Sequence, residues 1–403
     1  MLLTLAAVQF THVLDFMIMM PLGSHLMRVF DIAPSQFSHL VAAYGLAAAI
    51  SGFAAGFVLD RFDRKHALLF LYSGFGLATL ACAFAPGYLT LLFARLAAGA
   101  FGGVASSVVV AMVGDVIPPH RRGRAMGTVT VAFPIASVLG VPTGLLLAEH
   151  FEWHAPFFLL AGLSVIVWVL IFRALPPLRA QHAPEHPWQQ MKAILGDRIH
   201  QRAFVMSAAL IFAGAVVVPF LAPAMVVNVG LTEAQLPLIY LAGGACTFFT
   251  TPWIGRLSDR FDKLHVLGWV TLAASVVVLA LTHLGRAPLA VAMVATALFM
   301  ITMSGRFGPA MSMVTNAIGA RYRGGFMSVN AAIQQASSGI ANLTAGLLVS
   351  ADASGRIVGY PRVGFVAVGF FALTFVLAAR LRRLAPHAAK PGSPDALPLA
   401  AAD

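Results

Sequence analysis

Four residues in otherwise apolar stretches could do chemistry: one acid, one histidine and two arginines. Asp15 is the only acid in the first apolar stretch, Leu2–Met27, and His12 lies one helical turn before it on the same face. Arg95 and Arg306 are the only basic residues equally deep in other apolar stretches. A charge at such depth is costly unless it faces a partner or water, so these residues are candidates for binding or moving an ion.

The composition indicates a polytopic membrane protein. Of the 403 residues, 59% are hydrophobic and only 10% charged, whereas a soluble domain carries roughly 25% charged residues. Cys82 and Cys246 both lie in apolar stretches, so no disulfide framework is expected. Leu2–Met27 lacks a basic leading segment and is too long for a cleavable signal peptide.

Apolar runs between charged or Pro/Gly breaks predict twelve transmembrane helices. A span needs about 20 apolar residues, and the short alternating segments of barrel strands are absent from the sequence. The predicted spans cover residues 2–27, 36–58, 66–85, 88–112, 123–148, 154–175, 201–227, 234–255, 264–284, 287–315, 325–350 and 359–381.

The basic residues are distributed unequally between the two ends of these spans. Of the 26 Lys and Arg residues, 20 fall on one side, which we call the basic side, four on the opposite side and two within spans. Such a bias predicts that the basic side is cytoplasmic, together with both termini. We therefore expect a multi-pass protein of the cell inner (plasma) membrane. The net charge of +11 then reflects orientation and contact with anionic lipid, and no nucleic-acid partner is expected.

Two sequence features recur at an offset of about 200 residues, which predicts a duplicated chain. DRFD occurs at Asp60–Asp63 and Asp259–Asp262, and an Arg-Gly turn begins at Arg122 and again at Arg323. The expected fold is all-α, with 12 transmembrane helices in two six-helix halves related by pseudo-two-fold symmetry and a substrate site between them. The predicted divisions are a half over residues 1–175, a cytoplasmic linker over 176–200, a half over 201–381 and a cytoplasmic tail over 382–403.

The chain resembles the major facilitator superfamily over essentially its whole length. The segment Gly56–Lys65 is similar to the family's loop signature G-x-x-x-D-R-x-G-R-K, with Asp60 and Arg64 on the matching acid and base and Asp63 in place of the last glycine. The second copy is weaker, because Lys263 stands for the arginine. The resemblance implies a transporter that works by alternating access.

Other motifs carry the same resemblance. Arg95 and Gly99 match a helix-4 motif, R-x-x-x-G, and Gly140-Val-Pro142-Thr-Gly144 resembles the helix-5 motif of drug:proton exporters and sugar-efflux relatives. Small residues four apart let helix backbones approach, and Pro142 permits a bend. Such pairs occur at Gly52/Gly56, Gly99/Gly103 and Gly140/Gly144.

The charged turns after spans 2 and 8 are candidates for a gate on the basic side. Their acids could pair across the two halves or meet the positive end of a helix dipole, whereas the basic residues could also serve only to orient the chain. The candidate gating residues are Asp60, Arg61, Arg64, Asp259 and Arg260.

In the fold that the resemblance implies, helices 1, 4, 7 and 10 line one cavity. At 1.5 Å per residue, Asp15 and Arg95 lie at about the same depth, with Arg306 about 5 Å nearer the basic side. Asp15 is then a proton site or a static partner of Arg95, and its protonation would free the arginine. Arg306 is an anion site or a packing or gating residue. His12 is a hydrogen-bonded polar group or a proton relay.

The leading interpretation is proton-coupled efflux of a small amphipathic or drug-like compound or metabolite. The alternatives are uptake or facilitated diffusion of a small anionic metabolite, and a non-transporting receptor or lipid-handling protein. The sequence contains no metal-ligand cluster, nucleophile motif or phosphate-binding loop, so neither an enzyme nor a cofactor is expected. The expected partners are a small-molecule substrate, protons and the lipid bilayer, and the resemblance implies a monomer.

Overall fold

Long helices dominate the structure, a computed structural model that describes residues 1–58, 62–117, 119–178, 187–319, 322–352 and 355–390. Within these ranges nine helices are long and apolar enough to cross a membrane, or ten if one bent pair counts as a span. Two further helices, Leu236–Arg260 and Arg323–Leu348, have 25 and 26 residues and occupy predicted spans 8 and 11. The twelve predicted spans therefore each have a helical counterpart.

The first half contains predicted spans 1 to 6. Its helices are α1 Leu2–Ile18, α2 Gly23–Val29, α3 Pro34–Val58, α4 Arg64–Ala83, α5 Tyr88–Val116, α6 Pro119–Thr130, α7 Ala132–Ile135, a π-helical turn Ala136–Gly140, α8 Val141–Phe151 and α9 Ala155–Ala174. The connecting helix α10, Pro187–Gly196, lies within the predicted linker.

The second half contains predicted spans 7 to 12. Its elements are α11 Arg198–Ala215, a 3₁₀ turn Val218–Phe220, α12 Leu221–Ala224, a π turn Met225–Val229, a 3₁₀ turn Glu233–Gln235, α13 Leu236–Arg260, α14 Lys263–Thr282, α15 Leu289–Asn316, α16 Arg323–Leu348, α17 Tyr360–Leu384 and a 3₁₀ turn Pro386–Ala389. Two short antiparallel strands, β1 Ser350–Ala351 and β2 Ile357–Val358, pair before α17.

Three predicted spans are not regular α-helix throughout. Span 1 bends by 57° between α1 and α2, at the turn of residues 19–22, which contains Pro21 and ends before Gly23. Proline cannot donate the backbone hydrogen bond that would continue a helix. Span 5 includes the π turn just before Pro142, where the Val141 amide donates to the Ala136 carbonyl five residues back. Span 7 is broken in the same way around its prolines, between α11 and the π turn that ends at Val229.

Three large apolar clusters show how the two halves meet. One contains residues of both halves, from mid-helix positions such as Leu14 and Phe371 outward to the opposite side, and in it Phe37 packs edge-on against Phe220. The other two lie toward the basic side, and each belongs to a single half, one around Val108 and one around Met313. The halves therefore share a core on the opposite side and keep separate cores on the basic side.

Glycines set the closest helix contacts. A Cβ atom at Gly99 of α5 would lie 2.2 Å from the Tyr44 carbonyl oxygen of α3, and one at Gly103 would lie 2.5 Å from Ala48. Between the halves, a Cβ at Gly339 of α16 would lie 2.6 Å from Leu46 of α3. Only glycine therefore permits these backbone approaches.

The predicted packing role of Gly52 is wrong. Among the described residues, a Cβ atom at Gly52 would meet nothing within 4 Å, so this face of α3 has no close neighbour there. The sequence pattern of small residues four apart is the same as at Gly99, but only the tertiary structure determines which face of a helix has a neighbour.

Gly99→Ala should destabilise the protein by about 1–3 kcal/mol, the usual cost of overpacking, because the new methyl would collide with the α3 backbone. The matched control is Gly52→Ala, where the methyl has free space and alanine favours a helix. Thermal unfolding in one detergent measures both variants. Equal melting temperatures for the two variants would contradict this account of the α3–α5 contact.

Candidate functional site

The predicted acid and base lie together in the first half. Asp15 Oδ2 accepts a hydrogen bond from Arg95 Nη1 at 2.7 Å, and both side chains are fully buried. The same Nη1 reaches the Asp15 carbonyl oxygen at 3.3 Å, and Thr79 Oγ1 of α4 donates to Asp15 Oδ1 at 3.4 Å. The ion pair thus joins α1 to α5, with α4 supplying a third polar contact.

An aromatic and a histidine extend this cluster. The Arg95 guanidinium carbon lies 4.7 Å from the centre of the Tyr44 ring, a cation–π contact. The Tyr44 hydroxyl is 2.5 Å from His12 Nδ1, and His12 is buried. We call Asp15, Arg95, Thr79, Tyr44 and His12 the polar cluster. It links four helices of one half, α1, α3, α4 and α5, through a chain of buried contacts.

Glycines of α5 create the room for the polar cluster. The close approach at Gly99 brings the Tyr44 backbone against α5, which sets its ring beside Arg95. A Cβ at Gly102 would lie 2.6 Å from the Tyr44 hydroxyl and 3.0 Å from His12 Nδ1. The glycines of α5 therefore determine whether Tyr44 and His12 can meet.

The helix-5 motif packs directly on the helix that carries Asp15. A Cβ at Gly140 would lie 2.7 Å from Leu14, and one at Gly144 would lie 2.4 Å from Ile18. Pro142 is buried between them. On the other side, a Cβ at Gly244 of α13 would lie 3.1 Å from the Ser137 carbonyl of the π turn. The motif therefore lies between α1 and the second half.

The predicted gating residues are only partly visible. Asp60 and Arg61 lie outside the described residues. Arg64 is buried and pairs with Asp115 of the same half, Nε to Oδ2 at 3.2 Å. Asp259 and Arg260 are exposed in the last turn of α13, and the structure places neither in a hydrogen bond or ion pair with another described residue. A gating role for these five residues stays a prediction.

The last acid of each DRFD copy begins the next helix. Asp63 accepts from the His66 amide at 3.0 Å at the start of α4, and Asp262 accepts from the Leu264 amide at 2.9 Å at the start of α14. A side-chain acceptor at this position satisfies amides that have no partner within the helix. This capping role explains why an acid replaces the family's glycine, and the sequence reading missed it.

An ion pair joins the halves on the opposite side. Arg28 Nη2 of α2 donates to both carboxylate oxygens of Glu233, at 3.0 and 3.1 Å, and His25 Nδ1 lies 3.5 Å from Oε2. We call these three residues the outer latch. Sequence reasoning did not single out any of them, because the pairing joins positions 205 residues apart.

Arg306 stands apart from the polar cluster. Its guanidinium carbon lies 3.9 Å from the centre of the Phe371 ring of α17, and Nη1 lies 3.7 Å from the Met303 sulfur. Among the described residues, no hydrogen bond or ion pair joins it to Asp15 or Arg95. Phe371 is one of 30 phenylalanines, so no sequence signal distinguished it.

Comparisons with known proteins agree with the fold. The family model for the Major Facilitator Superfamily matches residues 5–217 and again 203–401. An uncharacterized MFS-type transporter, YceJ of Bacillus subtilis, is 25% identical over 360 residues, covering 87% of this chain and 90% of that protein. A probable sugar efflux transporter of Helicobacter pylori strain G27 is 22% identical over 160 residues, covering 40% of this chain and 41% of that protein.

A solved structure gives the same architecture. A bacterial homologue of the human lysosomal transporter Spinster, in an inward-facing and unoccupied conformation, aligns with a TM-score of 0.75 and 15% identity, covering 97% of this chain and 98% of that one. At this identity the likeness is one of fold.

Glu233→Gln should weaken closure of the opposite side, because a neutral amide cannot hold Arg28 as strongly. A partly exposed ion pair contributes at most about 1 kcal/mol, so the ratio of closed to open molecules should fall by no more than about fivefold. Hydrogen exchange of α2 should rise. The control is Glu152→Gln on the same side, since the one ion pair of the Glu152 carboxylate among the described residues is with His154 of its own half. Unchanged exchange in Glu233→Gln would rule out the latch.

Asp63→Ala should destabilise the start of α4 by about 1 kcal/mol at neutral pH. Partial burial of Asp63 opposes ionisation, but hydrogen bonds from His66 and the Lys65 amide outweigh it and lower the pKa of this carboxyl. Its contribution is therefore present above the ordinary carboxyl pKa and lost as pH falls through the lowered value. Hydrogen exchange of α4 should differ between variant and wild type at pH 7, and the difference should shrink as pH falls below the ordinary carboxyl pKa. Asp259→Ala is the control; an equal difference at every pH down to acid unfolding would refute the charged cap.

Proposed function

Because the chain belongs to the Major Facilitator Superfamily, and is thus a membrane transporter rather than an enzyme, we propose that it couples proton movement to export of a small amphipathic compound. The proposed location is the cell inner membrane, with both termini cytoplasmic and the protein working as a monomer. The basic side is then the cytoplasmic side. The separate apolar cores of the two halves on that side support a transport cycle in which the halves part there to receive substrate from the cytoplasm.

The fully buried Asp15–Arg95 pair carries this proposal. Two opposite charges in a dry site compensate each other, whereas removing one charge leaves the other exposed to the full cost of burial. Protonation of Asp15 would therefore leave an uncompensated Arg95 and destabilise this packing of α1 against α5. A state that admits water or substrate would relieve that cost, which links protonation to a change of conformation.

The rest of the polar cluster suits such a switch. When the pair breaks, the Thr79 hydroxyl remains a partner for Asp15 and the Tyr44 ring face remains a partner for Arg95. His12, hydrogen-bonded to Tyr44, extends the cluster along α1 by one turn. The motif Gly140–Gly144 packs against Leu14 and Ile18 of α1. A rearrangement of α1 would therefore shift the contact between this segment and α13 of the second half.

The direction of transport rests on the helix-5 motif and on relatives. The motif resembles that of exporters, and the similar protein from Helicobacter pylori is named as a probable sugar efflux transporter. Uptake of an anionic metabolite is the second candidate, favoured by the burial of Arg306 without an acidic partner in the part of the chain that the structure describes. A receptor without transport would not need a breakable ion pair inside a half.

Asp15→Asn should abolish gradient-driven transport, because an amide can neither bind nor release the proton. Cells that express the variant would show no more export of screened compounds than cells without the protein, and an imposed proton gradient would drive no flux in vesicles. The matched control is Asp31→Asn, an exposed acid at a positive backbone φ of 49°, which asparagine adopts readily. Full gradient-driven flux in Asp15→Asn would end the coupling proposal.

Arg95→Ala should uncouple transport from the gradient, because an arginine beside a carboxyl favours its charged form. Half-maximal flux should move to higher pH, and Arg95→Lys should be intermediate because lysine lacks the planar fork. Residues that act as a unit are non-additive, so Arg95→Ala combined with Asp15→Asn should be no worse than Asp15→Asn alone. Additive losses and an unshifted pH profile would mean that the two residues act independently.

A further inference from the structure

Arg306 is a buried cation that forms no ion pair with any acid among the described residues. It is 1% exposed, and its Nε and Nη2 atoms have no hydrogen-bond partner among the described residues. By contrast, the equally buried Arg95 has its charge matched by Asp15 at 2.7 Å. The two deep arginines are therefore in different electrostatic states.

The contacts of Arg306 compensate its charge only weakly. Phe371 offers a ring face at 3.9 Å and Met303 a thioether sulfur at 3.7 Å. A cation–π contact contributes a fraction of what a carboxylate would, and a thioether is a weak acceptor. An unpaired charge in a dry site is costly. Binding of an anionic ligand would compensate the charge of Arg306, so this residue suits an anion-binding site.

The same side chain lines a cavity between two helices. The cavity has a volume of about 210 Å³ and lies between α11 and α15. It is lined by Leu210, Ile211, Gly214, Ala215, Met303, Arg306 and Phe307. Apart from Arg306, every lining residue is apolar or glycine. The cavity therefore combines one charged group with an apolar surface.

The nitrogens of Arg306 that have no partner among the described residues indicate which chemical group a ligand would need. Nε and Nη2 form one edge of the planar guanidinium, and this edge can donate two parallel hydrogen bonds to a carboxylate. An apolar body would pack against the aliphatic wall, as ligand sites combine apolar surface with a few placed polar groups. A cationic compound would instead meet an unmatched positive charge.

We propose that the substrate is an amphipathic organic anion, such as a monocarboxylate, whose acidic group binds Arg306 while its apolar part fills the cavity between α11 and α15. The proposal rests on the transport function proposed above and adds the substrate class. The proposal also gives the two halves different roles. The first half carries the proton through Asp15, and the second half carries the substrate's charge through Arg306.

Binding to purified protein in nanodiscs tests this assignment, with octanoate and phenylacetate as probes and their primary amides as neutral matches. In wild type, each acid should bind at least about tenfold more tightly than its amide, the size of one charge-assisted hydrogen-bonded contact. Arg306→Gln should remove this preference and leave amide binding unchanged, and Arg306→Lys should keep part of it. Arg286→Gln, an exposed arginine of the opposite side, is the control and should match wild type.

Two results would overturn the proposal. One is the absence of any acid-over-amide preference in wild type for both probe pairs, including the case in which neither acid binds. The other is an undiminished preference in Arg306→Gln. Wild-type discrimination needs no variant, so the test stands even if Arg306→Gln folds poorly. Asp15→Asn should still bind each acid more tightly than its amide. If it does, and transport by wild type is independent of the proton gradient, the coupling proposal fails. The assignment of the substrate class then stands.

Discussion

The arrangement of the first half depends on one ion pair that has no access to water. Asp15 and Arg95 can remain charged only because each compensates the charge of the other and Thr79 adds a hydroxyl. For the two side chains to meet, α1 and α5 must lie close, and the glycines of α5 must let α3 bring Tyr44 against them. The buried Asp15–Arg95 pair therefore requires glycine at the positions of α5 where α3 approaches.

The second half solves the same problem differently. Its deep arginine rests on an aromatic face rather than on an acid, so duplication of the helices did not duplicate the electrostatics. What did recur is the capping acid, at Asp63 and Asp262, which starts a helix at the corresponding place in each half. Helix boundaries were kept in both copies while the chemistry inside the bundle diverged.

The sequence predicted the family, the helical class and the number of spans because those depend on composition and on local runs of apolar residues. Depth along the helices brought Asp15 and Arg95 to one level, and the structure sets them 2.7 Å apart, although their roles stay predictions. The bend before Gly23, the empty space beside Gly52 and the partners Phe371 and Glu233 were not foreseen. Each depends on which face of a helix meets a distant segment, and one sequence does not carry that information.

The π turn between α7 and α8 has a consequence of its own. It holds one residue more than an α-helical turn would need, and that surplus residue sits where α1 and α13 both press on the chain. If the turn relaxed to regular α geometry, the segment before it would rotate by about 100° relative to α8, the angle of one residue. The π hydrogen bonding of this turn, including the bond from the Val141 amide to the Ala136 carbonyl, thereby sets the rotation of α7 relative to α8.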